Sequence, residues 1–161
     1  MPDLVLKSDI LAPEPEKTLK FSIYHPSKIL GMVPELIKEI FKVTGSNLFE
    51  DEIKWDTSGD ITKFYGSWRG KDSKDARTTL WPKVKVLGEQ SPKDKKGSIT
   101  IWISAELIVK LPYKNILEKS IARLYSYMFY SERRRKYTAE AKGNLDVLEN
   151  EIRRIFEVRG R

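Results

Sequence analysis

A chain of 161 residues, 40% hydrophobic and 33% charged, is the size of one ordinary domain and too apolar to stay disordered. With no cysteine it excludes disulfide staples, thiolate zinc sites and thiol nucleophiles, and a net charge of +7 directs attention to anionic partners. The start has no signal-peptide core and no apolar run is long enough to cross a bilayer, so the expectation is an intracellular, cytoplasmic protein without a membrane span.

Residues 1–17, with Pro2, Pro13 and Pro15 among acids and lysines, read as an N-terminal arm, and residues 18–161 as a single α+β domain. Leu4, Val5, Leu6, Ile10 and Leu11 make the arm apolar enough to dock on the body or on a partner. Thr18 to Tyr24 alternates Leu19, Phe21 and Ile23 against Lys20 and Ser22, a first strand that His25-Pro26 stops. Ser27 suits an N-cap, and Pro34 is expected to begin a helix whose apolar side carries Val33, Leu36, Ile37, Ile40, Phe41 and Val43. Gly45 is the expected terminator of that helix.

Leu48–Asp56, Ile61–Gly70, Thr78–Leu87 and Ser98–Lys110 then have strand composition, separated by breaks too short for parallel crossovers. They form an antiparallel meander, with Pro82 marking an edge or a bulge. In the last strand Ile99, Ile101, Ile103, Ala105, Leu107 and Val109 face one way. Thr100, Ser104, Glu106 and Lys110 face the other, with Trp102 and Ile108 among them. From Tyr113 to Phe156 no proline interrupts a helical pattern. Ile116, Leu117, Ser120, Ile121, Leu124, Tyr125, Met128 and Phe129 stripe its first half, which is expected to lie in the concave face of the sheet. Leu145, Leu148, Ile152 and Ile155 stripe the remainder, which either continues over the sheet's end or pairs with a second copy. Gly143 is a possible break. Five strands are evident, and the fold class is a curved antiparallel meander sheet packed against a long C-terminal helix, with a shorter helix after the first strand.

Catalytic provision is thin. His25 is the only histidine and stands at a strand end, and the acids Glu50, Asp51, Glu52, Asp56 and Asp60 match neither a calcium loop nor a facial triad. Single glycines at 66, 70, 88 and 97 make no phosphate loop, so no catalytic residue, metal or cofactor is assigned, and an enzyme is the less favoured reading. Aromatic residues are the better lead: rings facing across a sheet-to-helix gap either fill the core or line an apolar cavity. Charge is the other lead. Lys plus Arg against Asp plus Glu run 7 to 11 over residues 1–62, 10 to 4 over 63–96 and 13 to 8 over 97–161. The run Arg133, Arg134, Arg135, Lys136, beside Tyr130 and Tyr137, has the residue types that single-stranded nucleic acid uses, although four consecutive helical residues point in four directions.

The order strand, helix, antiparallel meander, long terminal helix resembles the helix-grip architecture of START-like and plant-allergen-like domains. Phe21-Ser22-Ile23-Tyr24-His25-Pro26 leading into a helix, the Gly66-Ser67-Trp68 strand and the segment from Tyr130 to Tyr137 are also similar to small archaeal proteins of that shape with no assigned role. The resemblance covers nearly the whole chain from Thr18 onward. It implies a small apolar or aromatic ligand held between sheet and long helix, with Tyr65, Trp68, Trp81, Trp102, Leu124, Tyr125 and Met128 as walls. The alternatives are a basic nucleic-acid-binding module using residues 63–96 and Arg133, Arg134, Arg135 and Lys136, and a homodimer or larger scaffold formed through the C-terminal helix.

Overall fold

The computed structural model describes residues 2–128 and 130–159, the side chains of Ser126, Met128, Val158 and Arg159 excepted. In chain order it contains β1 (Asp3–Asp9), β2 (Lys17–Tyr24), α1 (Ile29–Phe41), β3 (Leu48–Asp56), β4 (Thr62–Gly70), β5 (Asp72–Ser73), β6 (Thr78–Gln90), β7 (Lys96–Pro112), α2 (Ile116–Met128) and α3 (Ser131–Arg159). All pairings are antiparallel, and the sheet runs β1-β7-β6-β4-β3 with β2 also on β7 and β5 on β6. The fold is thus α+β, an open curved antiparallel sheet against a long C-terminal helix, as the element order predicts. The N-terminal arm contributes a strand of its own. β7 is long enough to hold two partners on one edge, β2 along residues 96–103 and β1 along 106–112. With β5 this raises the expected five strands to seven among the described residues.

Pro82 lies within β6 between β4 and β7, where the β6 edge changes partner from β5 at Leu80 to β4 at Lys83. A missing N–H costs least at such a gap. Two helix boundaries differ from expectation. α1 begins at Ile29 and carries Pro34 inside it, and it ends at Phe41 with Lys42 in the left-handed conformation (φ 55°), so Lys42 and not Gly45 performs the reversal. Buried Ile29, Val33, Ile37 and Phe41 recur at four-residue steps and hold α1 to the sheet despite the proline.

The strand period of two divides the sheet cleanly. Ile99, Ile101, Ile103, Ala105 and Leu107 of β7, Leu80, Val84 and Val86 of β6, and Phe64 and Trp68 of β4 are buried against α1 and α3 in one core. Trp68 lies over Gly66, where a Cβ would overlap its indole and crowd Leu30. The glycine makes room for the largest side chain in the core.

The C-terminal helix is broken, and its halves exchange the roles read from the sequence. α2 ends at Met128 and α3 starts at Ser131, and Gly143 sits inside α3 with open space around it. Ala141, Leu145, Leu148, Ile152 and Phe156 of α3 are buried on the sheet, and Phe156 stacks on Phe21 with ring centroids 4.7 Å apart. The residues expected to offer a seam to a second copy are therefore core residues, except for half-buried Ile155. α2, expected on the sheet, reaches it only at its end, over Leu4 of β1 and Val109 and Leu111 of β7, which with Tyr130 form a small satellite cluster to which, among the described side chains, it gives only Ala122. Phe129 lies outside the described residues.

A polar latch fixes the start of α3. The Tyr130 hydroxyl donates to the Asp75 carboxylate and also meets the Thr78 hydroxyl, while Tyr137 donates to the same carboxylate at 3.0 Å. The backbone N–H groups of Arg77 and Thr78 donate to the other oxygen of Asp75 at 2.8 and 2.9 Å. Burial alone would raise the Asp75 pKa. The hydrogen bonds from Tyr130, Arg77, Tyr137 and Thr78 outweigh it, and the carboxyl stays below its ordinary range. Burial, and then the Asp75 hydrogen bond, push Tyr130 up to about 12. Beside this group Lys74 bridges Asp72 at 2.8 Å and Glu140 of α3 at 3.3 Å.

Candidate functional site

The face of the sheet turned away from the helices carries a cleft of about 510 Å³ built on β1, β4, β6 and β7. That volume is within the range of small-ligand sites, roughly 300–1,000 Å³. Its position follows from strand parity: Arg69, Thr79, Trp81, Lys83, Ser104, Glu106 and Ile108 are the residues that alternate with the buried set. Pairing of β1 with β7 adds Lys7 and Asp9, and the turn before β6 adds Arg77.

Charge distinguishes this cleft. Lys7, Arg69, Lys71, Arg77, Lys83 and Lys110 line it against only Asp9 and Glu106. Arg69 is the one neutralised cation, forked onto Asp51 at 2.8 and 3.0 Å, which holds its pKa above the usual guanidinium value. The other five make no ion pair among the described residues. Arg69 and Lys83 are also directly opposite one another on β4 and β6, a like-charge pairing that sheets ordinarily avoid. Lys83 in turn faces the Ser104 hydroxyl across β6 and β7.

The fork onto Asp51 does more than neutralise Arg69. It places the guanidinium 5.4 Å from the Trp81 ring and 5.7 Å from the Phe49 ring, whose centroids are 6.1 Å apart. Cation and rings hold one another at the edge of the cleft. Along the same face Lys85 lies 5.6 Å from the Trp102 ring and pairs with Glu16 at 3.3 Å, and half-buried Tyr65 follows on β4. The acidic pair is equally placed. Asp9 and Glu106 face each other across β1 and β7, with Glu106 opposite Trp81 on the other side.

No family model and no curated protein matches this chain. Solved structures give weak likenesses. A protein of unknown function, SA2116 from Staphylococcus aureus, aligns over 89% of this chain and 96% of its own with 11% identity and a TM-score of 0.28. An uncharacterized protein from Rhizobium leguminosarum aligns over 92% and 99% with 7% identity and a TM-score of 0.21. The functional reading therefore rests on the geometry of the chain itself.

The seven residues expected to wall a ligand are not brought together. Trp68 is in the core at 0% exposure, with its indole N–H lacking an acceptor among the described residues. Tyr65, Trp81 and Trp102 lie on the opposite face, as alternation about Trp68, Leu80 and Ile103 requires. Leu124 and Tyr125 are exposed on α2, and the Met128 side chain lies outside the described residues. The sheet-to-helix interface at α3 is packed: Leu145 and Ile152 meet Ile101 and Ile103 in one cluster, all at 0% exposure. The basic run is dispersed as helical geometry demands. Arg134 turns inward and donates to the Ser8 hydroxyl at 2.6 Å, while Arg133, Arg135 and Lys136 are exposed.

Four of the six cleft cations, Arg69, Lys71, Arg77 and Lys83, belong to the basic segment 63–96, and applying the two-residue period to that segment puts Arg69, Trp81 and Lys83 on one face. Lys110 is placed on this face by the alternation of the last strand, whereas Lys7 carried no signal, because the β1–β7 pairing that delivers it joins residues about a hundred positions apart. No group of three or more His, Asp or Glu residues converges to hold a metal among the described residues. Among the described residues no helix is long and apolar enough to cross a membrane.

Proposed function

We propose that this protein binds single-stranded nucleic acid on the helix-free face of its sheet, with the basic cleft taking the phosphates. The observation that carries the reading is the set of five cations around Trp81, without an ion pair among the described residues, in one cleft of about 510 Å³. Phosphate chains are bound by such unpaired ammonium and guanidinium groups, whose association releases counterions, and bases stack on aromatic faces whatever their sequence. Trp81, Trp102 and Tyr65 on adjacent strands supply those faces. Asp9 and Glu106 supply acceptors for ribose hydroxyls or base amino groups, which a purely basic patch would lack. An apolar ligand between sheet and long helix is less well supported, since the aromatic walls proposed for it lie on different surfaces.

The test is fluorescence anisotropy of a labelled oligonucleotide titrated across a range of salt concentrations. Five phosphate contacts on a single strand give a log-log slope of roughly −3 to −4, and Lys7→Glu with Lys83→Glu lowers affinity at least about tenfold at moderate salt. A salt-independent affinity, or full affinity in that double variant, contradicts the proposal. Complete displacement by a free mononucleotide at stoichiometric concentration would assign the cleft to a small phosphorylated ligand instead.

A further inference from the structure

α2 is mounted inside out, and we infer that it docks this protein on an anionic membrane surface. At about 100° per residue, Leu117, Ile121 and Leu124 fall within an arc of roughly 60°, with Tyr125 and Ile116 at its flanks. An amphipathic helix ordinarily turns such a stripe inward. Here Ile116 is 84% exposed, Leu117 70%, Ile121 58% and Leu124 59%, while the helix leans on the body through Ala122 and through Lys119, whose ammonium sits 5.4 Å from the Tyr113 ring. α3 covers the centre of the sheet, and at the sheet's end α2 turns Ala122, not the stripe, onto Leu4, Val109 and Leu111.

The helix is a defined element and not a frayed end. Asn115 Oδ1 accepts the Glu118 N–H at 2.9 Å and Glu118 Oε2 accepts the Lys114 N–H at 2.7 Å, so the first turn is capped by its own side chains. That cap also occupies Glu118, the sole acid of α2. Lys119 lies opposite the stripe and is held on the Tyr113 ring; the cations left near the stripe are Lys114 just before the helix, Arg123 about 100° round from Leu124, and Arg77 in the groove that Ile121 and Tyr125 line. An apolar stripe with tyrosines at its margin and cations at its flank matches the boundary between acyl chains and anionic headgroups.

A second copy of this chain fits less well. Thirteen residues of helix present a strip about 20 Å long, a few hundred Å² at most, against roughly 800 Å² per partner in a stable dimer. Two copies would also bring like charges together, each chain carrying +7. A bilayer needs no complementary shape and supplies the opposite charge.

Co-sedimentation with vesicles of phosphatidylglycerol and phosphatidylcholine, compared with phosphatidylcholine alone, tests this on the intact chain. The expected result is at least tenfold tighter association with the anionic vesicles, lost in Leu117→Glu with Leu124→Glu while the thermal midpoint holds. The cleft is itself basic, so Lys7→Glu with Lys83→Glu is the control. Undiminished association of the leucine variant, with loss in the cleft variant instead, would assign the binding to the cleft and overturn the inference. Absence of vesicle binding overturns it as well, and a dimer that dissociates on the same leucine substitutions would name a second copy as the occupant.

Discussion

Ile103 and Ser104 are neighbours in the chain, yet they belong to surfaces of opposite character. Ile103 is sealed under α3, where stability comes from area removed from water and from close packing, and a charge would meet no partner. Ser104 opens onto a cleft in which five of the six cations make no ion pair among the described residues. Hydrophobic burial on the first face fixes the register of every strand, and the register then determines which polar side chains meet on the second. The sheet is thus a device by which the core positions a charged surface on which Arg69 and Lys83 stand opposite one another against their mutual repulsion.

Five substitutions probe the contrast, from the largest expected effect on stability to the smallest, with Ser104→Asp set beside the first as its control. Ile103→Asp buries an unpaired carboxylate at a cost comparable to the roughly 5–15 kcal/mol that holds a domain together, and should abolish the cooperative transition seen by circular dichroism. Ser104→Asp, one residue on, should leave that transition within about 1 kcal/mol while weakening oligonucleotide binding severalfold. Unfolding by Ser104→Asp, or tolerance of Ile103→Asp, would break the division between the faces. Trp68→Ala should cost about 3–5 kcal/mol in urea denaturation, with binding by the folded fraction unchanged. A loss of binding there would mean that the core face contacts ligand after all.

Asp75 sharpens the picture through pH. Its folded pKa lies below the unfolded value, so its contribution is present above the ordinary carboxylate range and disappears as pH falls through the lowered folded value. Asp75→Asn should therefore cost on the order of 1–3 kcal/mol at neutral pH and flatten the acid limb of the stability profile. Tyr130 acts at the other end. Its raised pKa gives stability that is whole below about pH 10 and fades as pH climbs toward about 12. An unaltered acid limb in Asp75→Asn would remove the latch from the account. The smallest effect belongs to Lys17, which reaches Asp146 at 2.6 Å and Glu149 at 2.9 Å across the edge of the sheet. Lys17→Ala should cost less than about 1 kcal/mol and less still in high salt.

Much of the fold was legible because alternation is a local signal. The isoleucines at 99, 101 and 103 declare a buried face without reference to anything distant, and the short breaks between strands require antiparallel neighbours. The features that escaped are long-range or competitive. β1 gains its identity from residues 106–112, and nothing local in Leu4-Val5-Leu6-Lys7 specifies that partner. The sequence between the end of α2 at Met128 and the start of α3 at Ser131 holds no glycine or proline, whereas Gly143, the visible candidate, is tolerated on an open side of α3. Both halves of the terminal helix carry an apolar stripe, and only packing decides which one takes the sheet. The aromatic inventory behind the proposed pocket was sound, but assigning it to one cavity overlooked the parity that sends Trp68 to one face and Trp81 and Trp102 to the other.

The tryptophans themselves offer the most direct test, because their indole N–H groups are resolved reporters on the two faces. In a ¹⁵N–¹H correlation spectrum titrated with a single-stranded oligonucleotide, the Trp81 and Trp102 indole signals should shift saturably while that of Trp68 stays in place. Movement of Trp68 with Trp81 and Trp102 stationary would place the ligand beneath the helices and contradict the assignment of function to the helix-free face.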